Sequence, residues 1–276
     1  MRNIWLCADD YGLSQSVNVG IRELIARGRL NATSVMVAAP HLGDDEAPEL
    51  AALNAGEKCA AIGLHVTLTA PFKPMSSGFA PLRDGKFLPV AELLRASIAR
   101  RLQPERLAIE IATQLHAFIK TFGRAPDFLD GHQHVQLFPQ VRDAFLKVVA
   151  EGAPNAWVRQ CGRANSLRRL HDRKGLVLDI LSVRFRRKAR RLGIATNPAF
   201  AGSYTFRPDA NFAKIFPRFL AGLPDGGLIM CHPGFVDAEL ERLDPLTHLR
   251  QRELAFFNSD EFQKTLAAQG ATLAKP

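Results

Sequence analysis

The residues best suited to chemistry stand at or near the ends of apolar runs. Ile4-Trp5-Leu6-Cys7-Ala8 stops at Asp9-Asp10-Tyr11-Gly12. Two adjacent carboxylates are costly to bury without a partner. At a strand end facing a cleft, a metal or substrate neutralises them; the other reading makes them turn and cap residues. Three later apolar runs each contain or adjoin a histidine: His65 within 59–69, His132 and His134 after 127–130, and His232 after 227–231. A carboxylate with two imidazoles is a common set for a divalent cation and leaves positions open for water and substrate. A spare carboxylate then serves as general base, and His232, on the far side, protonates a leaving group. That is apparatus for metal-assisted hydrolysis of an amide or ester. The chain has no GxSxG, GxGxxG or P-loop, which turns the reading away from a serine triad or a nucleotide cradle. Two histidines two residues apart share a side if the chain is extended; otherwise only one of His132 and His134 reaches the site.

Such residues meet only if the fold gathers strand ends. The stretch 14–26 reads as a helix, with Ser14 as N-cap and Val17, Ile21, Leu24 and Ile25 at helical spacing. Strands are expected at 33–38, 59–69, 127–130, 156–159, 227–231 and 271–274. Helices are expected at 44–54, 90–101, 104–122, 139–151, 211–220, 247–256 and 260–269. Residues 71–89 form a long loop rich in Pro, Gly and Ser, of a length that favours a functional role; 200–204 reads as a second loop. Alternating strands and helices imply an α/β fold with a mainly parallel sheet. A chain of 276 residues suits one such barrel. All strand C-termini of a (β/α) barrel share one face, so Asp9 and His232 meet there although more than 200 positions separate them.

Composition sets the class. Hydrophobic residues make up 47% and charged residues 23%, as in a soluble globular domain. No apolar run approaches the roughly 18 residues that span a bilayer, and the N-terminal run is too short for a signal peptide. Cys7, Cys59, Cys161 and Cys231 show no CxxC spacing and read as free thiols of a reducing cytoplasm. The net charge of +9 is localised. Residues 159–191 hold 12 Lys or Arg against Asp172 and Asp179, a net +10, and the remainder carries −1. Within 166–192, Val177, Ile180, Leu181, Phe185, Ala189 and Leu192 keep helical spacing between basic residues, a basic amphipathic helix. Two readings stand: a helical insertion or lid at about 160–205, or a face drawn to an anionic substrate or to the inner face of a membrane. Nucleic acid is not expected as a partner, because the interleaved aromatics of single-strand binders are sparse. One domain, 1–276, is expected; a homodimer is compatible with the composition.

Four motifs carry a resemblance to a known family. They are Ala8-Asp9-Asp10-Tyr11-Gly12-Leu13-Ser14, Gly63-Leu64-His65-Val66-Thr67-Leu68-Thr69, Leu129-Asp130-Gly131-His132-Gln133-His134-Val135-Gln136-Leu137-Phe138-Pro139, and Cys231-His232-Pro233-Gly234. In order, and over nearly the whole chain, they resemble the YdjC-like carbohydrate deacetylases. That family includes chitooligosaccharide deacetylases and a hopanoid-biosynthesis-associated deacetylase. The resemblance implies a TIM-like barrel related to the polysaccharide deacetylases, one divalent ion (Mg2+ or Zn2+), and removal of acetyl from an N-acetylated oligosaccharide or glycolipid. It assigns Asp10, His65 and His132 as metal ligands, Asp9 as base and His232 as acid. Tyr11, His134, Arg159, Phe200 and Gly202 are expected to contact substrate. Gln133 and Gln136 stand where the family often has histidine, which favours His132 over His134 as ligand. Adjacent strand residues face opposite ways, so the assignment needs the chain to turn at Asp9. The alternatives are a non-catalytic sugar-binding barrel and a phosphate- or nucleic-acid-binding protein that uses the basic helix.

Overall fold

The first strand, β1 (Arg2–Tyr11), is the one to which the rest of the sheet attaches. It pairs in parallel with β2 (Ala32–Val35) on one side and β7 (Leu228–Cys231) on the other, and its opening residues pair with β8 (Ala271–Leu273). The remaining strands are β3 (Ala61–Val66), β4 (Phe128–Gly131), β5 (Trp157–Val158) and β6 (Phe200–Ala201), in the order β5-β4-β3-β2-β1-β7-β6. The computed structural model describes residues 1–43, 45–164 and 173–276. Among the described residues every strand pair is parallel, and β2, β3, β4 and β7 are buried along their whole length. Parallel strands covered on both faces take continuous apolar sequence, which is why these runs were legible.

The curled sheet stops short of closure between β5 and β6, and loop residues stitch the gap. Val158 bridges Thr196, and Gln160 N–H donates to Asn197 Oδ1 at 2.8 Å. Phe200 N–H donates to the Gly162 carbonyl at 3.0 Å. The expected barrel is therefore present as a single, incompletely closed domain.

The outer layer comprises α1 (Gln15–Ala26), α2 (Glu46–Ala52), α3 (Val90–Ile98), α4 (Pro104–Phe122), α5 (Pro139–Gly152), α6 (Arg173–Arg191), α7 (Phe212–Leu220), α8 (Ala238–Leu243), α9 (His248–Asn258) and α10 (Asp260–Ala268). Local signals explain their ends. Ser14 Oγ accepts from Val17 N–H at the start of α1. Pro104 opens α4 and Gly123, at φ +67°, closes it.

Some short elements differ from expectation. The loop at 200–204 begins as β6, two residues too short to show alternation. The six-residue α8 was not anticipated, being too short for periodicity. The basic helix begins at Arg173; residues 166–172 of that expectation, and Asp44 of the expected helix 44–54, lie outside the described residues. Helix α6 connects β5 to β6 and buries Leu178, Ser182, Phe185 and Ala189, as a barrel crossover does. Among the described residues no helix is long and apolar enough to cross a membrane. All four cysteines are free thiols, with Cys59 exposed and the others buried.

Gly202 marks a close approach of β6 to β7. Its φ is +108°, and a Cβ there would collide with the Met230 carbonyl oxygen. Gly202→Ala is expected to cost about 2–4 kcal/mol from backbone strain and overpacking together. Urea unfolding measures it, and an unchanged midpoint would refute the close approach.

Candidate active site

The end of β1 solves the problem of adjacent carboxylates. Register with β2 slips between Ala8 and Tyr11, and Asp10 takes φ +70°. Aspartate tolerates the left-handed region better than most residues. The turn is thus at Asp10 rather than at Asp9. It leaves Asp9 and Asp10 only 2% and 1% exposed, both on the wall of one cavity.

Asp10 Oδ1 lies 3.0 Å from His132 Nδ1 and 3.4 Å from His65 Nε2. One ligand atom from each of the three residues falls within 4.8 Å of the others. Strand β3 presents His65, and the turn after β4 presents His132. Gln133 and His134 both have positive φ, 55° and 62°. That reversal sends His132 to Asp10, while His134 packs edge-on to Phe200 with its Nδ1 3.5 Å from Cys161 Sγ. The His65 ring is oriented from behind, its Nδ1 bonded to Asp130 Oδ1 at 2.6 Å. A carboxylate on one ring nitrogen fixes the other toward a metal. Burial opposes charge on His65, yet Asp130 and Asp10 raise its pKa to about 10. Burial also opposes ionisation of Asp10, but Arg250 and His132 outweigh it and hold its carboxyl well below the usual range. The donor chemistry, the convergence and the buried support behind His65 all fit a divalent cation.

Asp9 has a different environment. Arg159 forks onto it, Nη1 to Oδ2 at 2.7 Å and Nη2 to Oδ1 at 2.6 Å. Arg159 Nη2 also stands 2.6 Å from Asp130 Oδ2 and 3.0 Å from Cys7 Sγ. Cys7, Asp9 and Asp130 would resemble a second metal set, but the guanidinium fills it. Burial raises the Asp9 pKa, and Arg159, then His65, more than reverse this, to about 2. His232 follows β7 and reaches the same cavity. Its Nδ1 is shut off from solvent with no hydrogen-bond partner among the described residues, and burial lowers its pKa below the ordinary imidazole value.

The cavity measures about 530 Å³ and brings together Asp9, Asp10, His65, His132, His134 and His232. Leu13, Phe72, Phe206 and Met230 give it apolar walls; Phe72 comes from the long loop 71–89. The other residues expected at the substrate lie elsewhere. The Tyr11 hydroxyl donates to the Glu46 carbonyl and accepts from Arg22, both at 2.8 Å, outside the cavity. Arg159 is fully buried behind Asp9. Phe200 and Gly202 line a neighbouring cavity of about 210 Å³ that shares Ser203 with the first. Sequence reasoning missed Asp130, Arg250 and Glu253. Asp130 had a signal, since it stands in the same short motif as His132; the other two look like ordinary helix charges.

The profile of YdjC-like proteins matches residues 3–268. The chain is a YdjC-like protein. Over 275 aligned residues this YdjC-like protein is 28% identical to a chitooligosaccharide deacetylase of Citrobacter koseri, covering 96% of this chain and 94% of the relative. Its fold is similar to that of an Enterococcus faecalis protein described as a cellobiose-phosphate cleavage protein. The TM-score is 0.73 at 20% identity, over 99% of this chain and 97% of that one. A Streptococcus mutans CE4 esterase superposes with a TM-score of 0.53 at 13% identity, over 99% and 85% of the two chains.

Proposed function

We propose that this YdjC-like protein is a divalent-metal-dependent hydrolase that removes acetyl from an N-acetylated sugar. One observation carries the reading: Asp10, His65 and His132 converge in a cavity that also holds a separate carboxylate, Asp9, and a separate imidazole, His232. The relative named chitooligosaccharide deacetylase supports the substrate class. The two imidazoles suit Zn2+ better than Mg2+. When bound, the cation polarises the acetamide carbonyl and acidifies water. Asp10, His65 and His132 would hold it. Asp9, kept ionised by Arg159, takes the proton of the attacking water. His232 gives a proton to the departing amine, so acetate and a free amino sugar leave. The apolar walls shield the reacting groups from bulk water.

Acetate release from a panel of N-acetylated sugars and glycolipids tests this. Chelation is expected to abolish release and Zn2+ to restore it, with His65→Ala and His132→Ala losing both metal and turnover. Undiminished turnover in chelator would overturn the metal; a bound sugar with no turnover in any metal would favour the non-catalytic barrel.

The exposed stripe of α6 supports a finer reading, contact with an anionic membrane. The N-terminal end of α6 stands beside the reaction face, since Gly175 and Leu178 line the cavity that shares Ser203 with the site. Between residues 175 and 191 the exposed residues of α6 are first apolar, Val177, Ile180 and Val183, and then basic, Arg184, Arg187, Arg190 and Arg191, with exposed Leu192 following. Exposed apolar side chains beside a cluster of arginines are what an anionic lipid surface attracts. Sedimentation with anionic vesicles is expected at low salt and to fade at high salt. Arg184→Glu with Arg187→Glu and Arg191→Glu should abolish it while sparing turnover of a small soluble substrate. No binding at low salt would sink the membrane contact alone.

A further inference from the structure

Helix α9 sends two buried charged side chains, less than one turn apart, into different parts of the site. Arg250 is fully buried. Its Nη2 donates to Asp10 Oδ2 at 2.6 Å and to Asp244 Oδ2 at 2.5 Å, and its Nε donates to the Leu246 carbonyl at 3.0 Å. Three acceptors on one planar fork leave the guanidinium little freedom. Asp10 is therefore held by Oδ2, and its Oδ1 is the oxygen turned to His65 and His132. Glu253 is 1% exposed. Its Oε2 accepts from the His232 backbone N–H at 2.6 Å, and its Oε1 accepts from the Tyr204 hydroxyl at 2.7 Å. Gly234 N–H also donates to the Arg250 carbonyl at 3.3 Å, so α9 grips the His232-Pro233-Gly234 turn at both ends.

The rest of this face is apolar, with Leu249, Leu254, Phe256 and Phe257 buried. Packing alone would favour more of the same, because a well-packed apolar replacement of buried ions is often neutral or stabilising. What the two charges add is direction. We propose that Arg250 and Glu253 are positioning residues with separate duties: Arg250 aims the ligating oxygen of Asp10, and Glu253 fixes the turn that carries His232 and ties it to Tyr204. The inference rests on the deacetylase reading above.

The test is a Zn2+ binding isotherm on metal-stripped protein, combined with steady-state kinetics. Arg250→Met is expected to weaken Zn2+ about 10- to 100-fold. Arg250→Lys keeps the charge but not the fork; it should show the same loss and covers the case in which the Met variant does not fold. Glu253→Leu should bind Zn2+ within about twofold of the unaltered chain, keep its KM, and lose about 10- to 100-fold in kcat. Glu253→Gln should recover most of that loss, since its carbonyl can accept from His232 N–H and its amide can donate to the Tyr204 oxygen. Equal Zn2+ affinity in the unaltered chain and both folded Arg250 variants would overturn the first duty. A Gln variant as impaired as the Leu variant, or a Leu variant that also loses Zn2+, would overturn the second. An unaltered chain that binds no Zn2+ overturns the deacetylase reading itself, and the inference with it.

Discussion

Asp9→Asn is expected to bind Zn2+ as tightly as the unaltered chain and to lose roughly 10²–10⁴ in kcat. Asp9 shares the cavity with the three convergent donors but is engaged by Arg159 on both oxygens. Asparagine preserves the shape and one acceptor for Arg159, and removes the oxygen that takes a proton. Because the Asp9 pKa is held to about 2, the base is ionised throughout the neutral range, and its titration should not set an acid limb there. His232 should set the alkaline limb. It must carry a proton to give one, and its pKa lies below the ordinary 6.5, so turnover falls with rising pH already on the acid side of neutrality. Isotherms and kcat across pH check both statements. Loss of Zn2+ in Asp9→Asn, with retention in Asp10→Asn, would exchange the two roles.

Arg159→Met is expected to cost about 3–5 kcal/mol in unfolding free energy near neutral pH, because it removes the cation from buried Asp9 and leaves Asp130 with His65 as its only charged partner among the described residues. The pH dependence follows from the direction of the shift. The folded pKa of Asp9, about 2, lies below its ordinary 3.8. The stability that Arg159 supplies through Asp9 is therefore present above about 3.8 and is lost as pH falls through about 2. In the variant Asp9 protonates at higher pH, which relieves the buried charge. The deficit should be greatest at pH 7 and should narrow by pH 4. Urea unfolding at the two values measures it; an equal deficit at both would show that Asp9 is not what Arg159 stabilises.

The chemistry was readable in the sequence where it was concentrated. Asp9, Asp10, His65, His132 and His232 each sit in or beside an apolar run that forms a strand, and a parallel barrel gathers strand ends by construction. The supports were harder to see because their neighbours give them no special context. Arg250 lies in His248-Leu249-Arg250-Gln251-Arg252, which reads as a solvated helix. Arg159 opens the basic segment and invited a substrate role, yet its charge is spent on Asp9 and Asp130. Tyr11 stands in the first motif, but the turn at Asp10 directs it to Glu46 and Arg22. Backbone reversals at Asp10, Gln133 and His134 decide which side chains face the cavity, and no periodicity encodes a single left-handed residue.

The central place of β1 has a consequence for how the chain is made. This strand leaves the ribosome well before its partners β7 and β8, which follow more than 220 residues later, and Asp10 meets Arg250 only 240 residues on. At roughly 5–20 residues per second, translation leaves β1 with an unpaired edge for on the order of 10–50 s. Open edges invite foreign strands, and sequence-distant pairing is slow. The yield of active molecules in a cell therefore depends on what shelters the nascent β1 edge until β7 and β8 arrive.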